Sequence, residues 1–422
     1  MAKPALPIVV SSERKPGKRV IVLTIVLLVL CQSQQILAYS GISLFLPVIR
    51  QDVHLSFAQG GTLAAASTLV YALMQIPSGY LADRFSARTL FLCGLIGTSL
   101  LSLSFALLHV YWMLVLNQAI SGIFRAFMFA PGLLLISDLF PSDRRAMAMG
   151  LYVAGGSSSN ILLNLLGPVL VGPLGWRPLF IAFSLLGVAL AILYGFLGIS
   201  GTRRIASEPL PLRRILLLFR EPSMWLIGAI QYVRLAVAIG LQFWLPTFIV
   251  VEKGYSLQVA GIVVALGAAA TAPANFFGGY LSDRLRNPLL VIGTSLAALA
   301  LTTLLLIYAN NLVLLLVVVA VSGIFVQLYF GPLFNVPIQL LGADTAGLSS
   351  GFGNFFANLG GFTFAYTLGA LKDATGSFDA GLYALAGFCA FGFLCTLVLA
   401  RMRPGGARPA AEDEEVEAPA HP

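Results

Sequence analysis

The stretch that decides the fold is Gly79-Tyr80-Leu81-Ala82-Asp83-Arg84, which returns 200 residues later as Gly279-Tyr280-Leu281-Ser282-Asp283-Arg284. Each copy closes an apolar run. A second segment repeats at almost the same displacement, because Ser121-Gly122-Ile123-Phe124 returns as Ser322-Gly323-Ile324-Phe325. Self-similarity at one long displacement indicates an internal duplication. The sequence therefore predicts two homologous halves.

The composition excludes a soluble globular protein. Of 422 residues, 58% are hydrophobic and only 10% are charged, whereas a soluble domain carries about 25% charged residues. Apolar runs of about 20 residues suit helices that cross a bilayer. The sequence predicts twelve such spans, six in each half: 20–49, 57–81, 88–108, 111–138, 147–171, 178–198, 223–251, 257–282, 288–308, 311–340, 346–371 and 379–401.

The distribution of basic residues predicts the orientation. With the N-terminus inside, the cytoplasmic segments hold 19 of the 25 lysines and arginines. The external loops hold Arg50, Arg177, Lys253 and Lys372. Basic residues concentrate in cytoplasmic loops, so both termini are expected in the cytoplasm and the protein in the inner or plasma membrane. Because the basic residues are scattered over short loops, we expect no nucleic-acid partner.

The chain is predicted to divide into five segments. A cytoplasmic arm (1–19) precedes a six-helix bundle (20–198), a cytoplasmic linker (199–222), a second six-helix bundle (223–401) and a disordered tail (402–422). No nucleophile–base set and no metal-ligand spacing is present, so we expect neither an enzyme nor a cofactor or metal site. We expect the chain to act as a monomer.

The repeated Gly-x-Leu-x-Asp-Arg between the second and third spans of each half resembles the signature loop of the major facilitator superfamily. Gly175-Trp176-Arg177 before the sixth span and the long basic linker are also typical of that superfamily. The segment 346–378 resembles the eleventh span of its anion:cation symporter branch, whose members mostly carry organic anions. The resemblance covers the chain from about 20 to 401.

The resemblance implies a fold of two bundles related by an axis along the membrane normal, which rock around a central cavity. Spans 1, 4, 7 and 10 would line this cavity, and spans 2, 5, 8 and 11 would form the moving interface. It also implies a cytoplasmic gate of charged residues, with topology-setting charge as the alternative. The predicted gating residues are Asp83, Arg84, Arg88, Asp283, Arg284 and Asp138.

Two arginines lie inside predicted spans. Arg125 is near the middle of span 4, and Arg234 is well inside span 7. An arginine at this depth costs several kcal/mol unless it faces a wet cavity or finds a partner. The alternative is a structural arginine bonded to helix carbonyls or amides. We expect both to bind substrate, because an arginine fork matches a carboxylate or phosphate.

Acidic residues are missing from the predicted membrane centre. Every Asp and Glu outside the tail falls in a loop or at a helix end, and the three histidines are also peripheral. The two arginines therefore have no buried carboxylate, and an anionic substrate would supply the counter-charge. The same absence favours uniport or anion exchange over proton coupling, although symport of a protonated substrate stays open.

Amide and aromatic side chains complete the predicted substrate wall. Gln32, Gln35 and Tyr39 share one face of span 1, and Gln231 precedes Arg234 in span 7. Hydrogen bonding between helices is the alternative for every amide. The remaining predicted substrate-binding residues are Tyr329, Asn354 and Asn358.

Together these patterns predict an all-α membrane protein that moves a small organic anion of the carboxylate class by alternating access. Arg125 and Arg234 would bind its anionic group. The partners would be this small-molecule anion and the lipid bilayer. Two rival hypotheses are an exporter of drugs or neutral metabolites and, less favoured, a non-transporting sensor on the same fold.

Overall fold

The computed structural model describes residues 18–140, 145–198, 220–341 and 346–402, which form thirteen helices. Their bounds are α1 Lys18–Val53, α2 Phe57–Arg84, α3 Ala87–Leu107, α4 Tyr111–Asp138, α5 Arg145–Leu174, α6 Trp176–Leu197, α7 Pro222–Val251, α8 Leu257–Leu285, α9 Pro288–Tyr308, α10 Leu312–Leu328, α11 Phe330–Leu341, α12 Ala346–Thr375 and α13 Asp379–Met402. The predicted arm, linker and tail lie almost wholly outside the described residues.

Most of these helices are built to cross a membrane. Ten segments of the described chain are long and apolar enough to span one, and α10 with the start of α11 counts as one of them, Leu312–Pro337. Helices α2 and α12 are not among the ten, and both are rich in small and polar residues such as glycine, serine and threonine. The all-α prediction is confirmed, and ten membrane-span candidates are found among the described residues. The full set of twelve spans, the two six-helix bundles and the orientation of the termini stay predictions.

The chain divides into two compact units. The first holds Met1–Glu208 with Gln242–Ala269, and the second holds Pro209–Leu241 with Ala270–Pro422. The first unit therefore includes α1–α6 together with the end of α7, the beginning of α8 and the loop that connects them. The Ser43 hydroxyl in α1 bonds this end of α7, since it donates to the carbonyl oxygens of Gln242 at 3.0 Å and Phe243 at 2.7 Å.

In the first unit, α4 packs between α2 and α3, while α1 packs against α5 and α6. Leu28, Phe91, Met128 and Tyr152 are fully buried members of the apolar cluster at its centre. Polar side chains also join neighbouring helices by donating hydrogen bonds to backbone carbonyl oxygens. Such bonds satisfy polar groups where no water is available to do so. For example, the Asn117 amide donates to the Leu101 carbonyl at 3.0 Å.

In the second unit, α9 packs against α13, α10 and α11. The predicted span 10 is not one helix, because α10 ends at Leu328 and α11 begins at Phe330. Pro332 lies in the first turn of α11 and has no N–H to donate to the Leu328 carbonyl four residues earlier. That carbonyl instead faces Gly278 of α8, where no side chain intervenes. The break therefore has both a local and a packing cause.

Candidate functional site

Arg125 lies in the first unit, between two aromatic rings. Its guanidinium carbon is 3.7 Å from the ring centroid of Tyr39 in α1 and 5.1 Å from that of Tyr71 in α2. Its Nη1 donates to the Ser67 hydroxyl of α2 at 2.9 Å. Its Nε is buried and has no hydrogen-bond partner among the described residues. A cation over tyrosine faces is stabilised by the ring quadrupole, so the site holds the charge without an acidic partner.

The approach of α4 to α2 is what brings Ser67 within reach of Arg125. Gly122 lies one turn before Arg125, and a β-carbon there would stand 2.6 Å from the Ser67 carbonyl oxygen and 2.9 Å from the Tyr71 nitrogen. Any side chain would therefore force the helices apart. Small residues at helix crossings permit this closeness in membranes. Gly122 thus sets the position of Arg125 through the α2–α4 contact.

A polar cleft opens beside Arg125 among α1, α3, α4 and α6. The cleft is small in this structure, with a cavity volume of about 20 Å³, which is room for about one water molecule. Gln35 and Tyr39 contribute from α1, and Gln118 and Ser121 contribute from α4. A cleft that combines a cation, amides and hydroxyls among apolar neighbours has the make-up of a small-molecule site. The structure thus brings Arg125, Gln35 and Tyr39 together.

Gln32 does not line this cleft. Its Oε1 accepts a hydrogen bond from the Tyr152 hydroxyl of α5 at 2.8 Å, and Tyr152 is fully buried. The side chain therefore links α1 to α5. It points to a different neighbour than Gln35 and Tyr39 do, although the sequence places all three on one helix face.

Arg234 lies in the second unit and is only 7% exposed. Its Nε donates to Gln231 Oε1 at 2.8 Å, one turn earlier in α7. Its guanidinium carbon is 5.0 Å from the ring centroid of Phe330, the first residue of α11. Tyr329, at the break of span 10, is fully buried, and its hydroxyl has no hydrogen-bond partner among the described residues. The break in span 10 thus places an aromatic pair beside the second arginine.

The arginines have no acidic neighbour among the residues that the structure describes. Among the side chains that the structure describes, Arg234 and Lys372 are the buried ones of full charge, and no described Asp or Glu side chain is buried. One ion pair in the described ranges, Arg177 with Asp52 at 2.9 Å, is partly exposed. Charged groups inside a membrane are retained where they pair with something. Both guanidinium groups are therefore suited to an anionic ligand.

Asn354 and Asn358 lie one turn apart in α12. The Asn358 amide is buried and donates to the Asn354 carbonyl oxygen at 2.8 Å. This bond is within the helix, so the Asn358 Nδ2 is committed to its own backbone. Substrate contact by the two asparagines stays a prediction.

The predicted gating residues lie at helix ends. Arg88 donates from Nη2 to the Gly195 carbonyl oxygen at 2.5 Å, near the end of α6, where a cation favours the helix dipole. Arg284 donates to the Tyr280 hydroxyl at 3.4 Å, and Asp283 is exposed at the end of α8. Asp138 ends α4 and is half-buried. The gate itself stays a prediction.

The other two predicted gating residues, Asp83 and Arg84, lie in the last turn of α2, and their side chains are outside the described part of the chain.

Sequence reasoning missed Ser67, the hydroxyl that holds Arg125. Nothing in the sequence separates Ser67 from the other small hydroxyl residues of α2. The available signal is indirect: Gly122 belongs to the repeated Ser-Gly-Ile-Phe segment and lies one turn from Arg125. A glycine beside a membrane arginine indicates that another backbone comes close at that point.

The fold and the buried cations define a multi-pass helical membrane protein of the solute-carrier kind. The family model of the Major Facilitator Superfamily matches residues 28–365. The chain belongs to this superfamily and is a transporter rather than an enzyme. The resemblance stated from the repeated loop is thereby confirmed.

Curated relatives are distant but match over most of their length. The chain is 24% identical to the nitrite extrusion protein of Bacillus subtilis over 82% of this chain and 86% of that protein. It is 26% identical to the probable sulfoacetate transporter of Cupriavidus necator over 85% of this chain and 89% of that protein. It is 24% identical to the D-galactonate transporter of Escherichia coli over 88% of this chain and 94% of that protein.

Among solved structures, the fold resembles a bacterial homolog of the human lysosomal transporter Spinster in an inward-facing and occupied conformation. The TM-score is 0.80 at 18% sequence identity, with 92% of this chain and 98% of that chain covered. This likeness shows the fold alone.

Proposed function

We propose that this transporter moves a small organic anion of the carboxylate class by alternating access, and that Arg125 and Arg234 bind the anionic group. The observation that carries the proposal is the pair of guanidinium groups inside spanning helices, with no buried carboxylate among the Asp and Glu side chains that the structure describes. A desolvated guanidinium gains most from a ligand that brings its own negative charge.

The distant relatives support an anion of this kind. Their names include transporters of D-galactonate, sulfoacetate and hexuronate, all organic acids. The lining of the Arg125 cleft agrees, because Gln35, Gln118 and Ser121 can bond hydroxyl or carboxyl oxygens of such a substrate.

A small inorganic oxoanion is the second candidate. The specific observation in its favour is that other relatives of similar distance are named for nitrite or nitrate. Nitrate is planar like a carboxylate and would satisfy an arginine fork in the same way. It would leave the amides and hydroxyls of the Arg125 cleft without a partner, whereas a hydroxylated acid would engage them.

The proposal is tested by thermal shift and by uptake into proteoliposomes. The ligand panel comprises monocarboxylates, dicarboxylates, sugar acids, nitrate, neutral sugars and cationic drugs. A ligand that binds only the folded state raises the melting temperature. We expect a carboxylate to raise it for wild type, and Arg125→Ala and Arg234→Ala to abolish both the shift and the uptake.

The matched control is Arg401→Ala, which removes an exposed arginine at the end of α13 and should keep both readouts. A shift with nitrate and none with any carboxylate would select the inorganic candidate. A shift with neutral or cationic compounds that survives both arginine variants would overturn the proposal in favour of a drug or neutral-metabolite exporter.

A further inference from the structure

The two arginines present different edges to a ligand. In Arg234, Nε is held by Gln231 at 2.8 Å, so the end of the guanidinium, Nη1 with Nη2, makes no hydrogen bond to the described residues. In Arg125, Nη1 is held by Ser67 at 2.9 Å and Nε is buried without a partner. A free Nη1–Nη2 end can grip both oxygens of a carboxylate in parallel.

The guanidinium planes of Arg125 and Arg234 also have different aromatic neighbours. Tyr39 stacks closely on the Arg125 guanidinium, 3.7 Å from its carbon, with Tyr71 at 5.1 Å. Arg234 has the more distant Phe330 ring at 5.0 Å. Arg125 is therefore fixed by a hydroxyl and a ring face, and its remaining outward donor is Nη2.

We infer that Arg234 is the bidentate receptor of the carboxylate, that Gln231 is a positioning residue for it, and that Arg125 contributes charge and a single hydrogen bond. The inference rests on the proposed function. It assigns Arg234 and Arg125 different contacts with the carboxylate. It also assigns Ser67 the role of holding Arg125 in its single-contact position.

Gln231 is built into the second unit in a way that suits this role. It is only 2% exposed, and its Cγ and Nε2 would stand 3.3 Å and 3.4 Å from a β-carbon at Gly353 of α12. The missing side chain at Gly353 leaves the space that the amide occupies. With its Oε1 on Arg234 Nε, the amide keeps the side edge of the guanidinium occupied and the end edge free.

The first test compares two substitutions by lysine. Lysine keeps the charge but loses the fork. Arg234→Lys should raise the KM for the best carboxylate about tenfold or more, because one of two charge-assisted hydrogen bonds is lost. Arg125→Lys should raise it by no more than about threefold, because an ammonium can still lie over the Tyr39 ring. Equal losses in both variants would overturn the inference.

The second test separates a positioning role for Gln231 from a structural one. Gln231→Glu keeps the shape and the acceptor on Arg234 Nε but neutralises the anion site. We expect the melting temperature without ligand to be kept and KM to rise about tenfold or more, with kcat less affected. A wild-type KM in this variant would contradict the inference. The control Arg401→Ala, which removes an exposed arginine at the end of α13, should leave KM unchanged.

The outcomes for this inference and for the proposed function are distinct. If Arg125→Ala and Arg234→Ala both transport normally, the proposed anion site itself is wrong. If both abolish uptake while Arg234→Lys and Arg125→Lys behave alike, the anion site stands and the unequal division of roles fails. Should Arg234→Lys fold poorly, Arg125→Lys still decides the question, because a rise in KM of about tenfold or more in that variant would contradict a single-contact role for Arg125.

Discussion

At the scale of single residues, the two arginines inside spanning helices are stabilised by neutral side chains rather than by carboxylates. A guanidinium in a spanning helix must recover several kcal/mol of lost hydration. Arg125 does so with a tyrosine face and a serine hydroxyl, and Arg234 does so with an amide and a phenylalanine ring. These partners are neutral, so each arginine keeps its full charge for a ligand. A buried carboxylate partner would have neutralised that positive charge.

The hydrogen bond between Tyr152 and Gln32 allows a prediction about the role of Gln32. Tyr152→Phe removes the buried donor at 2.8 Å and leaves the Gln32 oxygen unsatisfied. We expect the free energy of unfolding to fall by about 1 kcal/mol, measured as a lower melting temperature. KM should be unchanged, because Gln32 links α1 to α5 on this interpretation.

The control for this variant is Tyr383→Phe. The Tyr383 hydroxyl lies 3.2 Å from that of Tyr308, and both side chains are exposed. Its loss should leave the melting temperature almost unchanged. A higher KM for Tyr152→Phe at an unchanged melting temperature would show instead that Gln32 contacts the substrate.

At the scale of helices, the break in span 10 is a structural difference between the two halves of the duplication. Pro131 of α4 corresponds to Pro332, yet α4 continues past it to Asp138. A proline removes one helical hydrogen bond wherever it falls, so the proline alone does not decide the outcome. The difference lies in packing, because the Leu328 carbonyl oxygen meets Gly278 directly.

Neighbouring glycines of α8 offer a matched test of that packing. Gly278→Ala would place a methyl group against the Leu328 carbonyl, whereas Gly279→Ala would point into open space. Overpacking costs about 1–3 kcal/mol, so the first variant should lower the melting temperature and the turnover, and the second should keep both. Equal effects in the two variants would mean that the break does not depend on this contact.

Several elements of this molecule could be predicted from sequence because their causes are local. Apolar length predicted the ten spans found among the described residues, and the absence of acids from the predicted membrane centre marked Arg125 and Arg234. The partner of each polar side chain could not be predicted. Gln32 and Gln35 share a helix face, yet one meets Tyr152 and the other lines the cleft, since tertiary packing decides which neighbour arrives.

At the scale of the whole molecule, the distribution of acidic residues determines what can drive transport. Proton-coupled carriers hold a titratable group within a span. The Asp and Glu residues of the described ranges lie in loops or at helix ends, such as Asp52 and Asp283, and none of those whose side chains the structure describes is buried. The site then has a fixed positive charge, and exchange of one anion for another conserves charge without a titrating group.

This charge balance predicts how transport responds to pH. In proteoliposomes loaded with unlabelled carboxylate, counterflow of the labelled compound should vary by less than about twofold between pH 6 and 8, because arginines stay charged and carboxylates stay ionised across that range. An imposed pH gradient should not concentrate the substrate. The control is Arg401→Ala, which should give the same profile. Substrate accumulation driven by an inward proton gradient, together with proton uptake into the vesicles, would refute exchange and establish proton symport.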